Sequence, residues 1–340
     1  MASFERRSRP TANQAPAEPD DYDLDFRPQV AAKLGIVVVN RDEFEEVEAC
    51  LACLAPQLEL NDARVVVVDV SAEPTSADRV AALLEMDASR DAPPTDAWKS
   101  RASLIRARPC RNNSAGLAVA LEFLRAENYL FLHASARLRA GAVSALLDAA
   151  NEVGVAAAAP LIAGGPDAGL AVARFGDWPL DFWTEFQAAV GRPFPMTPPD
   201  ADFARRATLD CLVVRGDALE AIGGFDSMLG EPFAGADLVR RLRRSGKRVA
   251  YAPTAHVEFA DDIAAMASPR DAKEAPAFFA DRARFYRKSG PRALAIANLA
   301  WRLGRAIARV KNMAGLNDRH THHKAMDRAR GGALRGRRKR

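Results

Sequence analysis

GIVVVN at residues 35–40 and RVVVVDVS at residues 64–71 decide the architecture. Each is a short β-branched run without polar and apolar alternation, the pattern of a strand buried on both faces of a parallel sheet. An amphipathic stretch carrying Phe44, Val47, Leu51 and Leu54 follows the first, and ADRVAALLEM follows the second. Both have helical period. Further along, GLAVALEFLRA reads as a helix, NYLFLHAS as a third apolar strand, residues 141–150 as a helix and VAAAAPL as a strand. LDCLVVR (strand), GDALEAIGGFD (helix ending at Gly223 and Gly224) and ADLVRRLRRSGKRVAYAP (helix, turn, strand) continue the alternation. Alternating β and α segments predict an α/β fold: a doubly wound, mostly parallel sheet with helices on both faces. Ligands of such sheets sit beyond the C-terminal ends of the strands. Asn40, Asp69 and His133 are therefore expected on one rim, with Asp42, Ser71 and Ser135 close behind them.

The chain is 340 residues long and 49% hydrophobic, enough for one large core and inconsistent with repeats or wholesale disorder. Residues 1–32 are rich in Pro, Asp, Glu and Arg without strand or helix period and read as a tail; residues 33–290 read as the folded domain. Residues 282–340 carry 18 Lys or Arg against only Asp318 and Asp327, so the formal net charge of +4 is a basic end set against an acidic remainder. Such a block attracts anionic surfaces. PRALAIANLAWRLGRAIARVKNM, from Pro291, places Leu294, Ala297, Trp301 and Ile307 on one helical face, as in a helix lying in a headgroup interface; a helix docked on the domain is the competing reading. The segment 291–340 is thus expected to contact an anionic membrane surface. Nucleic acid is the minor alternative, since no groove-reading or aromatic-interleaved motif accompanies the charge.

Four cysteines are too few for a disulfide framework, and no charged-then-apolar leader is present, which points to a cytoplasmic protein. No apolar run approaches the roughly 20 residues a spanning helix needs, so membrane contact is expected to be peripheral, at the inner face. Cys50 and Cys53 form a C-x-x-C on the apolar face of a predicted helix and read as core residues. Residues 164–205 form a Pro- and aromatic-rich excursion with Trp178, Trp183, Phe186 and Phe194, expected to act as a lid.

Over roughly residues 34–290 these segments, in order and spacing, resemble the family 2 glycosyltransferases, especially their rhamnosyltransferase-like branch. VVVNRDEFEEVEACLACL resembles the opening strand, loop and helix, and VVVVDVS the second strand, whose acid contacts the nucleotide base in the family and maps onto Asp69. YLFLHASARLRAG matches the strand and loop around the metal-binding acidic motif; CLVVRGDALEAIGGFD, ending in G-G-F-D, is the most specific match, and FAGADLVRRLRRSGKRVAYAP follows it. The resemblance implies a GT-A fold, a nucleotide-sugar donor, a glycan or lipid-linked acceptor in envelope glycan assembly, and inverting transfer.

Inverting transfer needs a base for the acceptor hydroxyl and a cation or fixed dipoles for the departing nucleoside diphosphate. The family's acidic motif, which holds Mg²⁺ or Mn²⁺, is replaced here by His133, Ala134 and Ser135. A hard-cation site without a carboxylate is expected to be weak, with His133 its candidate ligand. The family's Glu-Asp pair falls on Ala234 and Gly235, neither of which can take a proton; its later His falls on Phe259, with His256 the nearest imidazole, expected on the same strand face. Glu231 and Asp237 remain as candidate bases, Asp237 competing with a role as helix cap. Loss at three positions points either to altered chemistry or to a catalytically silent protein that binds nucleotide-sugar or glycan, or scaffolds active transferases.

Overall fold

A computed structural model of the chain describes residues 23–25, 32–85, 96–108, 112–162, 182, 185–186, 189–190, 209–230, 233–260 and 275–313. The two valine-rich runs are β2 (Ala32–Asn40) and β3 (Ala63–Asp69), paired in parallel so that Asn40 lies opposite Asp69. Their side chains alternate between two cores. Leu34, Ile36, Val38, Val65 and Val67 face one, which α1 (Phe44–Leu58) covers with Phe44, Val47, Leu51 and Leu54. Val37, Val39, Val66 and Val68 face the other, under α3 (Asn113–Phe123). Burial on both faces is why neither strand shows a period of two. Cys50 is buried, and the loss of water pushes its thiol up to about 12, as expected of a core cysteine.

The remaining strands are β1 (Asp23–Asp25), β4 (Ala102–Arg106), β5 (Ala126–Leu132), β6 (Ala136–Leu138), β7 (Val155–Ile162), β8 (Cys211–Arg215) and β9 (Arg248–Phe259). With α2 (Pro74–Leu83) and α4 (Ala142–Ala150) in the connections, they complete one nine-stranded sheet in the order β1-β4-β3-β2-β5-β8-β7-β9-β6. The α/β class with helices on both faces is as expected. The parallel character is confined to parts of the sheet: β4, β3, β2 and β5 run parallel, and β7 pairs in parallel with β9, while β1, β8 and β6 run against their neighbours. Three strands were not anticipated: β6, which lies in the loop expected after β5, and β1 and β4. Asp23–Asp25, assigned to the tail, pairs with β4, and β4 itself lies in SLIRARP, where Arg106 at its end masks the apolar run.

After β8 come α5 (Gly216–Ala221), α6 (Phe233–Arg244), α7 (Ala275–Lys288) and α8 (Pro291–Met313). The helix expected from residue 291 is present, but its buried side is Ala297, Ala300, Trp301, Arg305 and Ala308. Small residues there let it approach the domain closely. At Gly304 an added Cβ would sit 2.4 Å from the Phe186 carbonyl oxygen and 2.8 Å from Ala189 Cβ. Gly304→Ala is therefore expected to cost about 1–3 kcal/mol, read as a lower Tm and faster proteolysis within α8. Beneath this helix Arg282 Nε donates to both oxygens of Glu185, at 2.7 and 2.8 Å, in a fully buried pair. Of the aromatic excursion, Phe186 belongs to this packing; Trp178, Trp183 and Phe194 lie outside the described residues.

Candidate active site at the sheet rim

Strands β3, β2 and β5 end side by side, so Asn40, Asp69 and His133 share one rim as expected. Asn40 and Asp69 are on the α1 face of the sheet, continuing the alternation of Val38 and Val67. Both are buried. Asn40 Nδ2 donates to Asp69 Oδ1 at 2.5 Å and to Ser76 Oγ of α2 at 2.8 Å; Ser71 Oγ donates to the same Asp69 oxygen at 2.8 Å. Both side-chain donors thus fall on Oδ1 and, among the described residues, no side-chain donor falls on Oδ2; the Ser71 N–H also bonds to the carboxylate. Burial pushes the Asp69 carboxyl above its ordinary range; the bonds from Ser71 and Asn40 oppose this, and the nearby Asp42 charge adds to it.

Asp42 staples the two loops together. Its backbone sits at φ 60, a left-handed conformation that Asp tolerates better than most residues. Its N–H donates to Ser71 Oγ at 2.9 Å, and its carboxylate accepts from the N–H groups of Ala72 and Glu73 at 3.3 and 3.2 Å. Asp42 and Ser71 therefore hold the shape of the rim around Asp69.

His133 follows β5 and is buried. Its Nδ1 accepts from the Ser135 N–H at 3.1 Å and lies 2.8 Å from Ser135 Oγ. With Nδ1 accepting, the neutral ring carries its proton on Nε2, which faces Glu43 Oε2 at 4.0 Å. In that tautomer Nε2 presents a donor to the rim on the side of Glu43. Ala134 offers no ligand, and among the described residues no group of three or more His, Cys, Asp or Glu gathers as a metal site. The described residues of this rim do not gather a ligand set for a hard divalent cation.

The positions the resemblance pairs do meet. β6 and β9 place Ala136 opposite Phe259, and Ala260 N–H donates to the Ser135 carbonyl at 3.0 Å. The histidine position thus abuts the metal-motif position, with a phenyl ring in place of an imidazole. His256 pairs beside Leu161, three residues before Phe259, and an odd spacing puts it on the other strand face, not the expected one.

Ala234 and Gly235 are buried in the first turn of α6. Asp237 is one turn inside that helix, so it does not cap it. It accepts from Arg240 at 2.7 Å, Arg241 at 2.9 Å and Lys288 at 3.0 Å, and is 1% exposed. Lys288 also bridges to Asp226, the acid of G-G-F-D, at 2.6 Å. Asp237 therefore ties α6 to α7 and to that loop. Glu231 lies outside the described residues.

One contributor escaped the sequence reading. The start of α3 lies over the other face of the rim, with Gly116 close enough that a Cβ would touch Val39 and Val70. Asn112 caps it, accepting from the Ala115 N–H at 2.9 Å. Asn113 Oδ1 and Ser114 Oγ are buried there without a hydrogen-bond partner, and Gly230 of the loop after G-G-F-D packs against Asn112 and Asp281. R-N-N-S just before a helical run was the available signal, a capping residue followed by polar groups too close to the rim to be bystanders.

A sheet with parallel β4-β3-β2-β5, an antiparallel β8 beside β5, and a polar rim at the strand ends is the GT-A type of glycosyltransferase fold. Among solved structures, the mannosyltransferase PcManGT from Pyrobaculum calidifontis in complex with GDP-Man and Mn²⁺ is similar with a TM-score of 0.52, over 90% of this chain and 87% of that one, at 14% identity. GalNAc-T7 with UDP, GalNAc and Mn²⁺ has a TM-score of 0.49 over 67% of this chain and 44% of its own, at 12% identity. At these identities the likeness is one of fold. No protein-family model and no curated protein matches the sequence.

Proposed function

We propose that the chain binds a nucleotide-sugar donor along the rim of β3, β2 and β5 and transfers the sugar to a lipid-linked or polysaccharide acceptor in envelope glycan assembly, as a divergent relative of family 2. The observation that carries this is Asp69: a buried strand-end carboxylate whose Oδ1 takes both internal side-chain donors while, among the described residues, Oδ2 takes no side-chain donor. An N–H of a nucleobase edge is the kind of group that oxygen suits. The first turn of α3 supplies N–H groups for a diphosphate, as helix N-termini do, and the polar atoms of Asn113 and Ser114 beside it await partners. The His133 Nε2–H is a second donor on the same rim. Charge on the leaving group would then be met by fixed dipoles, and no step is assigned to a cation. Glu231 remains the candidate base, and 291–340 the segment that brings the protein to the inner membrane face.

The second reading is a silent nucleotide-sugar binder. It is favoured by Asp237, whose buried carboxylate is held by three cations, and by Ala234 and Gly235 at the base positions. Calorimetric titration with UDP, GDP and dTDP, with and without Mn²⁺, addresses both readings. Binding is expected for at least one of them and to be insensitive to Mn²⁺. Donor hydrolysis on top of binding supports the transferase, binding without turnover supports the silent protein, and absence of any binding refutes both. Glu231→Gln with unchanged turnover would remove that side chain from the mechanism.

A further inference from the structure

Among the described residues seven large hydrophobic side chains are exposed, and four of them lie on one helix: Leu299 (53%), Leu303 (46%), Ile307 (42%) and Val310 (60%). Scattered singly they would need no explanation. At spacings of four, four and three residues they fall within about 80° of arc along about 17 Å of α8. This is the side opposite the one that holds the helix to the domain through Ala300, Trp301 and Ala308. Of the face expected from the helical spacing, Ala297 and Trp301 are buried inside the protein, and Ile307 points outward.

We propose that this outward stripe is the surface by which the protein lies on an anionic lipid bilayer. The proposal deepens the membrane part of the proposed function and is independent of the donor site. Charge identifies the occupant. Pro291–Met313 contains no acidic residue, and Arg292, Arg302 and Arg309 are exposed along it. Residues 314–340 add nine Lys or Arg against Asp318 and Asp327. A helix with an apolar stripe and flanking arginines can sink the stripe to the acyl boundary while the guanidinium groups reach the headgroups. Each basic group near an anionic leaflet adds to the attraction.

Two other occupants fit less well. A second copy docking stripe to stripe would bring two strongly basic segments together, and like charges across an interface oppose association. A nucleic acid would satisfy the arginines through its phosphates and leave four apolar side chains in water. Because α8 is fixed to α7 and to the Phe186 region on its other side, the stripe is carried on a rigid mount, and the domain has one defined face toward the bilayer.

The test is co-sedimentation of the full chain with vesicles of phosphatidylcholine alone and of phosphatidylcholine mixed with phosphatidylglycerol. Wild type is expected to pellet with the mixed vesicles, weakly with the neutral ones, and less as salt rises. Leu303→Glu/Ile307→Glu is expected to lower partitioning by about tenfold or more. Its Tm and nucleotide titration should stay as in wild type, because both side chains already face water. Wild type without preference for anionic vesicles, or a double variant that binds them as wild type does, overturns the proposal. A wild-type dimer that the double variant dissociates, with no vesicle binding, also overturns it and assigns the stripe to a second copy; duplex DNA binding without vesicle binding overturns it in favour of nucleic acid. Loss of nucleotide binding in wild type bears on the donor site alone.

Discussion

Asp237→Ala is expected to lower stability by about 3–5 kcal/mol, read as a shift of the urea midpoint with unchanged slope. The carboxylate is 1% exposed and sits between Arg240, Arg241 and Lys288. Removing it leaves Arg240 buried beside the Phe285 ring with its main counter-charge gone. A buried cation without its partner is far costlier than the pair was beneficial. Burial pushes this carboxyl up, but the charges of Lys288 and Arg241 and the bonds from Lys288 and Arg240 outweigh it and hold it below the ordinary range. A depressed folded value means the unfolded chain takes up the proton first as pH falls. The stabilisation is therefore complete above the unfolded value of about 4 and is lost as pH drops through the lower folded one. Asp237→Asn, which keeps the shape, should show its full deficit at neutral pH and converge on wild type in acid. A variant with lost turnover and an undisturbed midpoint would instead return Asp237 to the reaction.

The sheet and its rim were legible because the physics that builds them is local. A valine run buried on both faces has one pattern, and the strand ends fix which residues meet. Asn40, Asp69 and His133 came together for that reason. The antiparallel β8 was not legible, since a buried strand reads the same in either direction. The ion cluster around Asp237 was not legible because its partners Arg240 and Arg241 are local but Lys288 is far along the chain, and only the fold shows that all three converge on it. The face of α8 was misread because Trp301 looks like an interfacial anchor in sequence, whereas in the fold its ring packs edge-on against Phe279. Once Ala297 and Trp301 are committed inward, the exposed leucines are what remains for a partner.

Asp69→Asn should separate binding from stability. The substitution keeps an oxygen where Asn40 and Ser71 donate and places an amide where the carboxylate's Oδ2 stands. A donor there confronts the nucleobase N–H instead of accepting from it, so nucleotide affinity is expected to fall by about 10- to 100-fold, the loss of a hydrogen bond to a charged group. Stability should move the other way or not at all. Burial holds the Asp69 carboxyl above its ordinary value, so in the window above the unfolded value of about 4 the folded state binds more protons than the unfolded chain. Stability from this group accordingly declines as pH rises through that window and stays reduced at neutral pH. Asn removes the ionisation and with it the decline. Denaturation of both proteins at neutral pH and near pH 4 should show the variant equal or more stable at neutral pH, with the gap closing in acid. A buried group that weakens the fold while serving a ligand is the signature of a binding residue. An Asp69→Asn protein that binds nucleotide as wild type does would mean that Oδ2 faces no ligand, and that the rim of β3, β2 and β5 is not where the donor sits.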